Sequence, residues 1–281
     1  MRLKELIYFL GFKPPNRKYG FSVQSFKLEK DGQIDFAQWL HPSENTKTIT
    51  QKAVDNMREI LLPGDVALDI GAYTGDTALP MALAVGPKGH VLAFEPNGYV
   101  FPVLEKNASL NKDKTNIIPF MIAATAQDED ITFEYSDAGY CNGGHHEGIS
   151  KWRHGHAFEL TVKGKNIERL LKKDYKDLIS KIKYIKIDAE GYDCVIVKSL
   201  LGLIKECRPY LNVEVFKKTT FAQRLELFET IKNCNYTIYR VIDEGDFQGE
   251  KVTAEVLMKW KHYDIFCVPE EKKRTESTKL S

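Results

Sequence analysis

From about residue 48 onward, short apolar runs alternate with amphipathic stretches, a rhythm that predicts buried strands separated by helices. Thr48-Ile-Thr-Gln51 matches a capping box, and Val54, Met57, Ile60 and Leu61 form the apolar stripe of the helix it would open; Pro63 and Gly64 follow the helix end. Val66–Ile70 reads as a first strand, a glycine-flanked turn leads into a helix through 81–85, and His90–Phe94 is a second strand. Pro80 falls early in that helix, where it is harmless only if it lies in the first turn. Residues 99–111 read as another helix and 116–122 as a third strand, which Pro119 assigns to a sheet edge because proline cannot donate to a central ladder. A fourth strand at 184–187 precedes a helix over 192–201, and a fifth at 211–216 precedes a helix near 222–233. Two β-rich runs, 236–242 and 263–268, close the chain.

Strands alternating with helices imply an α/β fold with a doubly wound, mostly parallel sheet covered on both faces, the two closing runs adding a hairpin at the far edge. The chain divides into an N-terminal extension of uncertain form (1–47), one domain (48–269) and a polar tail (270–281). Within the domain, 128–183 is a long insertion with an expected hairpin, 131–135 against 158–162, and a loop rich in glycine and histidine. Excursions of that length in compact domains are functional or disordered.

Composition narrows the classes. Of 281 residues, 43% are apolar and 11% aromatic, enough for a substantial core. Forty basic residues against 39 acidic ones give a formal charge of +1, so no nucleic-acid partner is expected. Five scattered cysteines (Cys141, Cys194, Cys207, Cys234, Cys267) with no C-x-x-C spacing argue against a disulfide framework or thiolate zinc site and for a reducing, cytoplasmic setting. Leu3, Leu6, Ile7 and Leu10 sit at helical spacing in a short, charge-interrupted run, which reads as a docking helix rather than a signal peptide or membrane span.

The strongest local signal runs from Asp69 through Gly71, Ala72, Tyr73, Thr74 and Gly75. A buried strand ends there, glycines permit close backbone approach to a ligand, and the next helix offers its N-terminal amides. Glu95, followed by Pro96, ends the second strand, where a carboxylate can accept both hydroxyls of a ribose. Ala72 and Tyr73 stand where a second glycine would admit a pyrophosphate, so an adenosine ligand without phosphates fits better. Asp69 is placed to hold the amino-acid part of such a ligand, and Ala124, past the third strand, joins the same binding set.

Leu68-Asp-Ile-Gly-Ala-Tyr-Thr-Gly75, Ala93-Phe-Glu-Pro96, Tyr184-Ile-Lys-Ile-Asp-Ala-Glu-Gly191 and Glu206-Cys-Arg-Pro-Tyr-Leu-Asn-Val-Glu214 together resemble the FkbM family of class I methyltransferases, in family order over about residues 60–216. The resemblance implies a Rossmann-like sheet of seven strands with an antiparallel C-terminal strand, S-adenosyl-L-methionine as methyl donor with S-adenosyl-L-homocysteine as product, and O-methylation of a sugar, glycan or small natural product. Lys163-Gly-Lys165 replaces a common Leu-Asp pair, and Asp193 stands where glutamate is frequent.

Ligands of open α/β sheets sit beyond the carboxyl ends of the strands. Asp188 and Glu190 leave the fourth strand there, beside Glu214 of the fifth. Asp188 is the first candidate base and part of the donor site; Glu190, His145 and His146 are the other catalytic candidates. A divalent metal on Asp188 and Glu214 is a further option, because oxygen-rich sites suit magnesium or calcium. Asn142, Gly143 and Gly144, which also resemble a family feature, join Trp152 and Glu214 as candidate acceptor contacts. A nucleic-acid base N-methyltransferase would carry an Asn/Asp-Pro-Pro-aromatic segment where Asp188-Ala-Glu-Gly191 stands, and a nicotinamide oxidoreductase would want the missing glycine. N-methylation of another substrate class and a non-catalytic nucleotide-binding Rossmann module stay open.

Overall fold

A computed structural model describes residues 15–135, 137–141, 143–144, 158–242, 247 and 249–272. The first described strands, β1 (Phe21–Leu28) and β2 (Gly32–Trp39), form an antiparallel hairpin turned at Gly32, whose φ of +71° glycine adopts without strain. Periodicity could not reveal it. Five successive β1 residues are exposed, while the end of β2 is buried on both sides: Ile34 and Phe36 against Leu79 and Leu83, Ala37 and Trp39 against Val100 and Val103. Helix α1 (Gln51–Arg58) is capped by Thr50, whose hydroxyl accepts from the Ala53 amide at 3.2 Å, so the cap lies two residues beyond the predicted Thr48. Gln51 instead ties the helix to the hairpin turn by accepting from the Lys30 amide at 2.8 Å.

The alternating portion follows as β3 (Val66–Ile70), α2 (Ala78–Val85), β4 (His90–Phe94), α3 (Phe101–Ser109) and β5 (Ile117–Phe120). Pro80 is the third residue of α2, in the first turn, where its missing N–H removes no helical bond. The insertion contributes β6 (Ala123–Ala124), β7 (Glu129–Tyr135), β8 (Gly143–Gly144) and β9 (Phe158–Lys165), a four-stranded sheet ordered β6-β9-β7-β8, then α4 (Ile167–Asp174) and α5 (Lys176–Ile179). The expected hairpin between 131–135 and 158–162 is the β7–β9 pairing. Next come β10 (Ile182–Ile187), α6 (Asp193–Ser199), α7 (Leu201–Cys207), β11 (Tyr210–Val215), α8 (Phe221–Lys232), β12 (Tyr236–Arg240) and β13 (Tyr263–Pro269). The helix expected over 192–201 breaks at Leu200 into α6 and α7.

The central sheet has seven strands in the order β12-β13-β11-β10-β3-β4-β5. All are parallel except β13, which runs antiparallel between β11 and β12. Pro119 lies on β5, the edge strand, as its missing donor requires. Alternate residues divide the core. Leu68, Ile70, Ile185 and Ile187 pack on one face with Ile196 and Leu203, while Ala67 and Tyr184 pack on the other with Met81 and Phe266. On that second face Asp69 stands beside Lys186 across the β3–β10 register. A charge on a buried parallel strand needs a partner, and the register supplies one.

Candidate functional site

The carboxyl ends of β3, β4, β10 and β11 open into a cleft of ≈ 570 Å³, lined by Gly71, Tyr73, Glu95, Asp188 and Phe216 among others. Its floor is the turn after β3. Gly71 has φ +84°, and a Cβ there would meet the Asp188 carbonyl oxygen at 1.9 Å, so only glycine lets β3 and β10 approach this closely. Four of the turn's amides are engaged within the protein: Gly71 and Ala72 both donate to the Phe94 carbonyl (2.9 and 3.0 Å), Gly75 to the Ala72 carbonyl (2.8 Å), and Tyr73 to Glu95 Oε2 (2.9 Å). Tyr73 holds φ +50°, an uncommon conformation for a side-chain-bearing residue.

Glu95 is buried, and its Oε1 accepts from the Asn97 amide at 2.8 Å. Burial pushes its carboxyl up to about 7 against the opposing pull of the Asn97 and Tyr73 amides. Pro96, Ala72 and Ala124 join it on the cleft wall, with Phe94, Ile122 and Phe133 supplying apolar surface.

Lys186, 8% exposed, donates to Asp188 Oδ2 at 2.9 Å. Burial alone would draw its ammonium down, but Asp188 and Asp69 overcome that and hold it above its ordinary value. Asp69 is fully buried, accepts from the Thr77 hydroxyl at 2.7 Å and has no hydrogen bond to its Oδ1 among the described residues. It lies beneath the cleft rather than on its wall, as do Thr74 and Gly75, the latter packed on Leu104.

The turn after β10 is held by Asp193, whose two oxygens accept from the Ala189 (2.9 Å) and Gly191 (3.0 Å) amides; burial pushes its carboxyl up to about 7. Glu190, at φ +53°, lines the cleft and donates its amide to Glu214 Oε2 at 2.9 Å. The other Glu214 oxygen contacts His262 Nε2 at 2.7 Å. Glu214 is buried, and burial followed by the neighbouring Asp188 charge pushes it up to about 9. Both its oxygens are thus engaged away from the cleft wall, and among the described residues no group of three His, Cys, Asp or Glu is placed to hold a metal ion.

Gly143 and Gly144 pair with the end of β7. Asn142, His145, His146 and Trp152 lie outside the described residues. Sequence reasoning missed His262 and the wall built by Ser43, Glu44, Asn45 and Lys47. The Tyr73 hydroxyl donates to Glu44 and stands 3.5 Å from Cys141 Sγ, while Lys47 pairs with Asp76 at 3.1 Å. These three contacts join residues 29 or more positions apart in sequence, beyond any local pattern.

Among known proteins, the family described as the methyltransferase FkbM domain matches residues 69–238. A methyltransferase FkbM from Methylobacillus flagellatus is similar in structure at 14% identity and a TM-score of 0.46, covering 72% of this chain; this chain spans 43% of that one. Fibrillarin from Aeropyrum pernix, solved with S-adenosyl-L-methionine, aligns at 15% identity and TM-score 0.43 over 90% of this chain and 97% of its own. A precorrin-6y C5,15-methyltransferase from Geobacter metallireducens aligns at 12% and 0.41 over 80% and 93%. No curated protein sequence matches. Among the described residues no helix is long and apolar enough to cross a membrane.

Proposed function

Because the chain belongs to the FkbM methyltransferase family, we propose that it moves the methyl group of S-adenosylmethionine onto a hydroxyl oxygen of a sugar, glycan or small natural product held in this cleft. The observation that carries the reading is the glycine turn. Four of its amides, those of Gly71, Ala72, Tyr73 and Gly75, are engaged inside the protein and are not offered to a diphosphate, while Glu95 beside it retains lone pairs for a ribose diol. A phosphate-free adenosyl group fits that combination, with Phe94, Ile122 and Ala124 as apolar flanks and the carboxylates of Asp188 and Glu44 facing a cationic donor. Free cysteines at all five positions support a reducing, cytoplasmic setting.

When bound, the donor supplies an activated methyl group. What the protein's own residues do is align and take a proton. Alignment of two reactants is worth up to roughly 7–11 kcal/mol of the barrier. Lys186, held from beneath by Asp69, fixes one oxygen of Asp188. The other, Oδ1, has no hydrogen bond among the described residues and accepts the hydroxyl proton as the acceptor oxygen attacks. A carboxylate is too weak a base to ionise an alcohol beforehand, so proton removal accompanies transfer.

The test is a labelled-methyl screen over sugars and glycans, repeated with Asp188→Asn. Turnover should fall by about 10²–10⁴-fold, while stabilisation by S-adenosylhomocysteine persists. Full activity in the variant removes Asp188 from the role.

A further inference from the structure

Four lysines line the cleft, and they divide into two kinds. Lys47 is paired with Asp76 at 3.1 Å and Glu44 at 3.5 Å, and Lys186 with Asp188 at 2.9 Å. Lys217 and Lys218, in the segment leaving β11, are exposed and form no ion pair with a described carboxylate. Glu190 feels the charge of both without reaching ion-pair distance. Their ammonium groups stand 5.3 and 6.0 Å from the ring centre of Phe216, a buried side chain that also faces the cleft.

These two cations do not suit the donor. S-adenosylmethionine carries two positive centres, its sulfonium and its ammonium, against one carboxylate, and its net positive charge is repelled by like charge across a low-dielectric cleft. They suit the other reactant. We propose that the acceptor carries an anionic group, a phosphate ester or a carboxylate, which Lys217 and Lys218 bind beside Phe216 while its hydroxyl reaches Asp188. The inference rests on the methyl-transfer reading and narrows its acceptor class. Charge-assisted contacts from two ammonium groups set orientation as well as affinity, because an acceptor anchored at one end presents a fixed hydroxyl at the other.

The probes are a hexose phosphate, a hexuronate and the parent hexose, titrated into S-adenosylhomocysteine-saturated protein at fixed ionic strength. At least one anionic sugar should bind about tenfold or more tightly than the hexose, and whichever binds better separates phosphate from carboxylate recognition. Lys217→Gln with Lys218→Gln should erase the preference, and Lys217→Arg with Lys218→Arg should keep it, while all forms respond equally to S-adenosylhomocysteine alone. The proposal is overturned if the hexose binds as well as both anions, if neither anion binds, or if the preference survives in the glutamine pair. Failure of the wild-type protein to respond to S-adenosylhomocysteine would strike the donor assignment instead, a distinguishable result.

Discussion

At the scale of single residues, the buried carboxylates make the site sensitive to pH. Glu95 is moved by burial from its ordinary 4.5 to about 7. Between those values the folded protein keeps a proton that the unfolded chain has lost, so this group's stabilisation is complete below the lower value and disappears as pH rises through the upper one. A ribose hydroxyl donating to Glu95 favours the ionised form, so S-adenosylhomocysteine affinity should rise with pH across that interval and level off above it. Calorimetric titration checks this, with Glu95→Gln expected to bind weakly and without the rise; a flat wild-type profile contradicts the ribose assignment. Glu95 was legible in the sequence because strand, turn and acid fall at a fixed spacing. The bonds that perturb it were not, because the Tyr73 amide comes from another strand's turn. Asp193 was visible only as a departure from a family pattern, and its role of holding the Ala189 and Gly191 amides emerged from the fold.

At the scale of elements, hydrophobic runs located all seven strands of the central sheet, and proline located its edge. What they missed was anything stabilised by polar contacts to distant chain. Arg224 on α8 is the clearest case: a helical arginine ordinarily reads as solvated, yet it is 3% exposed. It donates to the carbonyls of Phe216 (3.3 Å), Leu257 (2.8 Å), Trp260 (2.7 Å) and Lys261 (2.7 Å) and to the Thr219 hydroxyl (3.0 Å). It thereby clamps the segment after β11 to the one before β13, the two that bear Lys217 and His262. Arg224→Met leaves several carbonyls unsatisfied, each costing about 1–3 kcal/mol, so a loss above ~3 kcal/mol is expected in denaturant unfolding. A loss below ~1 kcal/mol would show that the two segments hold without the clamp.

At the scale of the whole molecule, the N-terminal hairpin is bound to the rest by side-chain amides that act as a strand would. Asn107 accepts from the Ala37 amide (2.6 Å) and donates to its carbonyl (3.0 Å) and to that of Thr74 (2.8 Å). Four residues on, beyond the end of α3, Asn111 does the same for Asp35 (3.0 and 2.8 Å). Because Thr74 belongs to the glycine turn, hairpin docking and cleft shape are coupled. Asn107→Ala should cost about 2–4 kcal/mol and weaken S-adenosylhomocysteine binding together with a red shift of Trp39 emission; loss of stability with binding intact would separate the two. Two asparagines four apart on a predicted helix read as ordinary surface polarity, which is why this tie escaped the sequence. The strand order carries a consequence for biosynthesis. A ribosome makes β12 before β13, yet β13 lies between β12 and β11. β12 pairs with no strand of the sheet other than β13, so it has no edge to join until β13 has been made, and His262, just ahead of β13, reaches Glu214 only then.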